Sequence, residues 1–211
     1  MIRTQAACLA TLLIFCGQAP AGNLEAHVAT TAGVAVEDAA VVLEPMTKSV
    51  SKHHASATIE QRNRELVPYF TIVQTGAAIE FPNHDSSKHH LYSFSPAKTF
   101  EIKLYAGKPA QPVIFDKPGE VALGCNIHDW MEAYILVVDS PYFAKTGSHG
   151  RALIKNIPPG KYRLRLWHPR QKITLPLHEI TIGATPAKLD LVLDVMPRTV
   201  KPKPPIDADQ Y

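Results

Sequence analysis

The chain has 211 residues, 45% hydrophobic and 19% charged, the balance of a globular protein with room for one large domain or two small ones. A formal net charge of +3 without a basic cluster is too small to argue for nucleic acid, and no nucleic-acid partner is expected. No G-x-S-x-G, H-E-x-x-H or P-loop pattern occurs and nothing marks an oxyanion hole, so the chain is not expected to be an enzyme.

In chain order, the first element is a leader. Residues 1–22, "MIRTQAACLATLLIFCGQAPAG", place Arg3 before an apolar run from Ala6 to Phe15 and a small-residue site at Ala19-Pro20-Ala21. This is the pattern of a secretory signal peptide, cleaved after Ala21. The run is too short to span a bilayer. A lipidation site at Cys16 is disfavoured by the bulky Phe15 before it. The mature chain is therefore expected to be exported, periplasmic in a Gram-negative source, with no transmembrane segment. Cleavage removes Cys8 and Cys16 and leaves Cys125 as the mature chain's single thiol, which excludes an internal disulfide.

Beyond the leader almost nothing reads as helix. Eighteen prolines and eleven glycines interrupt the chain, and its apolar residues tend to alternate as in half-buried strands. The predicted strands are Leu24–Thr30, Ala39–Glu44, Tyr69–Gln74, Ala78–Pro82, Leu91–Phe94, Phe100–Leu104, Gln111–Phe115, Val121–Leu123, Met131–Val138, Gly150–Ile154, Gly160–His168, Leu175–Ile182 and Leu189–Val195. Many short strands separated by turn signals imply β-sandwiches or barrels. The polar stretch from Ser49 to Tyr69, "SVSKHHASATIEQRNRELVPY", reads as a linker or an irregular excursion, and its Ser51–His54 histidine pair as solvated. Asp139–Gly150 reads as turns. The turn at Pro158-Pro159-Gly160, followed by alternating Tyr162, Leu164 and Leu166, reads as a hairpin. Residues 196–211, rich in Pro and Lys, read as a disordered tail.

The flanks carry Gly33, Val36, Ala39 and Val41 early, and "NIPPGKYRL" from Asn156 to Leu164 late. In this they resemble the carboxypeptidase regulatory-like β-sandwich family. The resemblance implies that residues 22–54 and 140–195 form one small sandwich, with residues 55–139 as a separate domain.

That central stretch holds the chemistry. "GCNIHDWM", Gly124 to Met131, places a thiol, an imidazole and a thioether at Cys125, His128 and Met131. A His at +3 and a Met at +6 of a given Cys arise by composition roughly once in a thousand. Such soft and borderline donors suit copper, and a blue-copper site takes two His, one Cys and a weak axial Met. The bland alternative is a buried cysteine with incidental neighbours. Upstream, "FPNHDSSKHHLYSF" offers a strand end, a polar turn and histidines at His84, His89 and His90. Strand alternation groups His89 with Leu91, and His90 with Tyr92 and Phe94, so His90 would face inward if those aromatics do.

With these residues in view, the region resembles the cupredoxin family (plastocyanin, amicyanin, pseudoazurin). Phe81, Asn83 and His89 match its first-histidine pattern, and Cys125, His128 and Met131 its closing loop in the short, amicyanin-like spacing. The resemblance implies a Greek-key β-sandwich binding one type 1-like copper through His89, Cys125, His128 and axial Met131. It implies a one-electron carrier with a redox partner protein in the periplasm, of the kind labelled methylamine-utilisation protein. A copper-storage or copper-delivery module is the alternative. The family commonly has Asn after the first histidine, where this chain has His90, which could instead donate its ring N–H to a backbone carbonyl. Trp130 reads as a packing residue shielding the site and Asp129 as exposed. His149, His168 and His178 lack ligand spacing and read as surface or turn residues.

Overall fold

The structure is a computed structural model that describes residues 21–47, 55–199 and 202. The leader through Pro20, the Ser51–His54 histidines and most of the tail lie outside the described residues. No helix among the described residues is long and apolar enough to cross a membrane.

The fold is all-β, a β-sandwich architecture built from seventeen strands among the described residues. They run β1 (Gly22–Ala29), β2 (Ala40–Pro45), β3 (Ser56–Thr58), β4 (Glu60–Arg62), β5 (Glu65–Val67), β6 (Phe70–Gln74), β7 (Ala77–Glu80), β8 (His89–Ser95) and β9 (Lys98–Tyr105). Then follow β10 (Val113–Phe115), β11 (Gly119–Cys125), β12 (Glu132–Val138), β13 (Phe143–Lys145), β14 (Arg151–Ile157), β15 (Gly160–Trp167), β16 (His178–Ile182) and β17 (Ala187–Val192).

The flanking strands form two sheets, β14-β1-β17 and β13-β2-β15-β16. Between them lies a core that includes Leu24, Val28, Val41, Leu43, Ile154, Tyr162, Leu164 and Ile182. The central strands form a five-stranded sheet, β6-β12-β11-β8-β9, and a three-stranded one, β10-β7-β3, with the β4-β5 hairpin alongside. Their core gathers Ile59, Phe81, Leu91, Phe115, Leu123, Ile135 and Val137 together with Cys125 and Met131.

A third apolar cluster joins the two sets. Phe70, Leu136 and Val138 come from the central strands; Ala40, Val42 and Trp167 come from the flanking ones. The rings of Phe70 and Trp167 lie 5.2 Å apart. This explains why β2 and β12 read as apolar runs: alternate residues face different cores, so both faces are covered.

Several expectations need correction. The polar stretch from Ser49 to Tyr69 is not a plain linker: it holds β3, β4 and β5 and buries Ile59, Gln61 and Leu66. Three-residue strands are too short to show a period, and Gln61 is polar, so no pattern marks them. β13 likewise falls inside the turn-rich Asp139–Gly150 stretch. The Pro158-Pro159 turn does not make a hairpin. Its two strands enter different sheets, β14 beside β1 and β15 beside β2, so the turn arches across the core. The tail does not leave the fold at residue 196. Met196 N–H donates to the Arg170 carbonyl at 2.8 Å, and the Arg198 guanidinium sits 3.9 Å over the Tyr69 ring.

Candidate metal centre

Two strands and one loop assemble the site. β8 begins at His89, and β11 ends at Cys125. The two strands pair antiparallel, with Gly124 opposite Tyr92 and Cys125 opposite Leu91. Gly124 gives room there: a Cβ would fall 2.8 Å from the end of the Tyr92 side chain that lies across it, so a larger residue would push that ring aside. After Cys125 the chain turns back through a short loop, closed by the Met131 N–H donating to the His128 carbonyl at 3.0 Å, and enters β12. The loop is tied to β8 by Asn126 N–H donating to the His90 carbonyl at 2.9 Å.

His89, Cys125 and His128 come together in the core. The two Nδ1 atoms lie 3.1 Å apart, and the Cys125 Sγ lies 3.8 Å from one and 3.9 Å from the other. Exposure is 0% for His89, 4% for Cys125, 2% for His128 and 2% for Met131, which is buried in the same core. Three lone-pair donors converging in a dry space fit a soft or borderline cation. An ion about 2.0 Å from nitrogen and about 2.3 Å from sulfur spans these separations. The donor set, two imidazoles and a thiolate with a thioether nearby in sequence, matches copper better than a hard cation.

Burial and hydrogen bonds shift both Cys125 and His89 even without an ion. Burial pushes the Cys125 thiol up, but the hydrogen bond from His89 and the backbone N–H groups of His90, Ile127 and His128 outweigh it, and its pKa falls below the ordinary thiol value. Burial pushes His89 down, yet the hydrogen bonds to Cys125 and Asp85 raise it above the usual imidazole range. Both shifts run towards the charged partners, and a thiol moved towards thiolate is readier to bind metal.

The other histidines lie elsewhere. His90 is half-buried on the opposite face of β8, where its Nε2 meets Glu101 Oε1 at 2.7 Å, not a backbone carbonyl. The premise that would have turned it inward also fails: Phe94 is 76% exposed and Tyr92 half-buried, so these aromatics lie together on the outer face, their rings tilted and 5.0 Å apart. His84 is exposed beside Glu60 at 3.3 Å. His149 and His178 are exposed. His168, read as a surface or turn residue, does open a turn, with the Gln171 N–H on its carbonyl at 3.0 Å, but it is buried to 1% exposure and accepts the Arg170 N–H on Nδ1 at 2.9 Å.

Sequence reasoning missed two parts of the site's surroundings, Asp85 and the β4-β5 hairpin. Asp85 places Oδ2 2.9 Å from His89 Nε2. The β4-β5 hairpin lies against the site: Arg64 N–H donates to Asp85 at 2.9 Å, and the Arg64 carbonyl accepts the Trp130 indole N–H at 3.1 Å. Trp130 is half-buried, with its ring 5.0 Å from that of His128 and the Arg64 guanidinium 5.7 Å from its centroid. Asp129 is exposed. Asn83 is buried and braces the loop before β8, donating to the Ser87 and Tyr105 carbonyls at 2.9 and 3.0 Å and accepting Asp85 N–H at 2.9 Å. The only sequence signal for Asp85 is its place four residues before His89.

No family model matches the chain, and no curated protein matches it. Among solved structures, part of the chain is similar to a Cu-containing nitrite reductase from Thermus scotoductus SA-01, at 20% identity over 44% of this chain and 25% of that one, TM-score 0.37. It is similar to a purple cupredoxin from Nitrosopumilus maritimus at 18% identity over 38% of this chain and 98% of that one, TM-score 0.35. A Cu(I) amicyanin mutant is similar at 13% identity over 46% of this chain and 97% of that one, TM-score 0.35. The chain thus spans a quarter of the nitrite reductase's length.

Proposed function

We propose that residues 55–139 are a cupredoxin domain set between the two halves of a second sandwich, in an exported protein that binds one copper ion and carries one electron. His89, Cys125 and His128 would hold the ion, with Met131 as a weaker fourth donor. The observation that carries this reading is the convergence of two imidazole Nδ1 atoms and one thiol sulfur, at 3.1 to 3.9 Å, inside an apolar core.

When bound, copper supplies a one-electron couple. The chain's own residues would keep that change from costing rearrangement. His89 and Cys125 sit on paired strands, and the loop carrying His128 is closed on itself and tied to β8, so the donors are held by backbone hydrogen bonds. The surrounding core and Trp130 keep water from the donors. Electrons would pass to and from a redox partner protein in the periplasm. Burial of the donors argues against the alternative of copper delivery, which needs an incoming ligand to reach the ion.

Equilibrium dialysis of the mature protein against Cu(I) and Cu(II), followed by voltammetry, tests the reading. One copper per chain with a reversible one-electron wave is expected. Copper bound without a reversible wave, but released to an apo-protein, would favour delivery. No copper at stoichiometric level would refute both.

A further inference from the structure

Behind His89 stands a carboxylate whose position is over-determined. Asp85 Oδ2 is 2.9 Å from His89 Nε2 and also accepts the Arg64 N–H at 2.9 Å. Its own N–H is held by Asn83 Oδ1 at 2.9 Å. The Arg64 donor comes from the two-residue turn of the β4-β5 hairpin, where Asn63 and Arg64 have φ of 54° and 56°. Two left-handed residues in succession make the tight hairpin turn that matches strand twist, and the backbone N–H groups of both reach Asp85. A residue far from the ligands in sequence thus holds the same carboxylate oxygen that meets His89.

An ionised carboxylate can only accept hydrogen bonds. His89 Nε2 must therefore carry a hydrogen, which turns Nδ1, the nitrogen left for a metal, towards Cys125 and His128. We propose that Asp85 is the positioning residue of this centre: it fixes His89 in the Nε2–H tautomer, and its charge, one imidazole away from the ion, favours the more highly charged oxidation state. The first half holds for the metal-free protein; the second rests on the copper reading above. Carboxylate partners of ligating histidines act in this way, and their loss typically costs about 10- to 100-fold in metal affinity.

The test compares wild type with Asp85→Asn and Asp85→Glu, with folding of each checked by circular dichroism and thermal melting. Nitrogen NMR of the His89 ring in the metal-free wild type is expected to show a protonated Nε2, with Nδ1 bare or shared with Cys125. A His89 carrying its proton on Nδ1 alone would overturn the proposal whether or not copper binds. Competition titrations with Cu(I) and Cu(II) supply the second readout. Asp85→Asn should lose about 10- to 100-fold in Cu(II) affinity and less in Cu(I) affinity. The reduction potential should then rise by about 59 mV for each tenfold change in the affinity ratio. Asp85→Glu, which keeps the charge, should recover part of that shift. A folded Asp85→Asn variant that binds copper with unchanged potential would overturn the charge claim. Wild type that binds no copper would remove the copper reading and the charge claim with it, and the NMR result would still decide the tautomer claim.

Discussion

His89 and His90 are neighbours with opposite fates, and the difference lies in a single alternation. His89 shares its face of β8 with Leu91 and Ser93, all buried, while His90 faces outward to Glu101. His89→Ala should therefore abolish copper binding in dialysis, whereas His90→Ala should change it by less than about threefold, since an exposed pair contributes at most about 1 kcal/mol. Equal losses in the two variants would contradict this assignment. The thiol, the imidazole and the thioether of the closing loop were legible because their types and spacing are rare together. The choice between the two histidines was not legible from alternation alone, because Tyr92 and Phe94 are aromatic and yet face outward. Asp85 was hidden for another reason: its clamps are backbone N–H groups, which leave no mark in sequence.

Among the elements, the closest approaches decide what can be changed. Gly150 leads into β14 with φ of 68°, and a Cβ there would fall 2.3 Å from the Val28 carbonyl oxygen, a backbone atom that cannot swing aside. The same approach carries a hydrogen bond, Val28 N–H to the Gly150 carbonyl at 2.7 Å. Gly150→Ala should destabilise the protein by about 1–3 kcal/mol or more in chemical denaturation, and Gly147→Ala, with open space around the added methyl, should cost less. Most long strands were readable from alternation, and β2 and β12 from their apolar runs. The β4-β5 hairpin was not, although it carries the Asp85 clamp and the Trp130 contact. Its strands have three residues each, its turn is Asn-Arg where Asn-Gly would have announced it, and of its two buried side chains, Gln61 and Leu66, one is polar. The arch at Pro158-Pro159 misled in the other direction, since the same turn residues serve a hairpin and a crossing between sheets.

At the scale of the molecule, the flanking sandwich meets the central one through Phe70, Leu136, Val138, Ala40, Val42 and Trp167. Lys145 strengthens that junction, with Nζ 3.0 Å from the Phe70 carbonyl and 2.7 Å from Asp38. Next to Trp167, His168 is buried, and desolvation, aided by the nearby Arg170 and opposed by Asp38, lowers its pKa to about 4 from 6.5. Above pH 6.5 the ring is neutral in both folded and unfolded chains. As pH falls from 6.5 towards 4, only the unfolded chain takes up the proton, so stability declines, by up to about 3 kcal/mol from this group. Below pH 4 both states are protonated and the loss stops growing. His168→Asn, whose Oδ1 can accept the Arg170 N–H, should flatten that part of the stability profile in urea titrations at pH 4 to 7; an unchanged slope would contradict the assignment.

The central claim is that the buried thiol and two imidazoles form a copper–thiolate centre, and the visible spectrum of the mature protein with one equivalent of Cu(II) tests it most directly. A strong thiolate-to-copper band that disappears in Cys125→Ala is the predicted result. A protein that stays colourless, or one whose band survives that substitution, would contradict it.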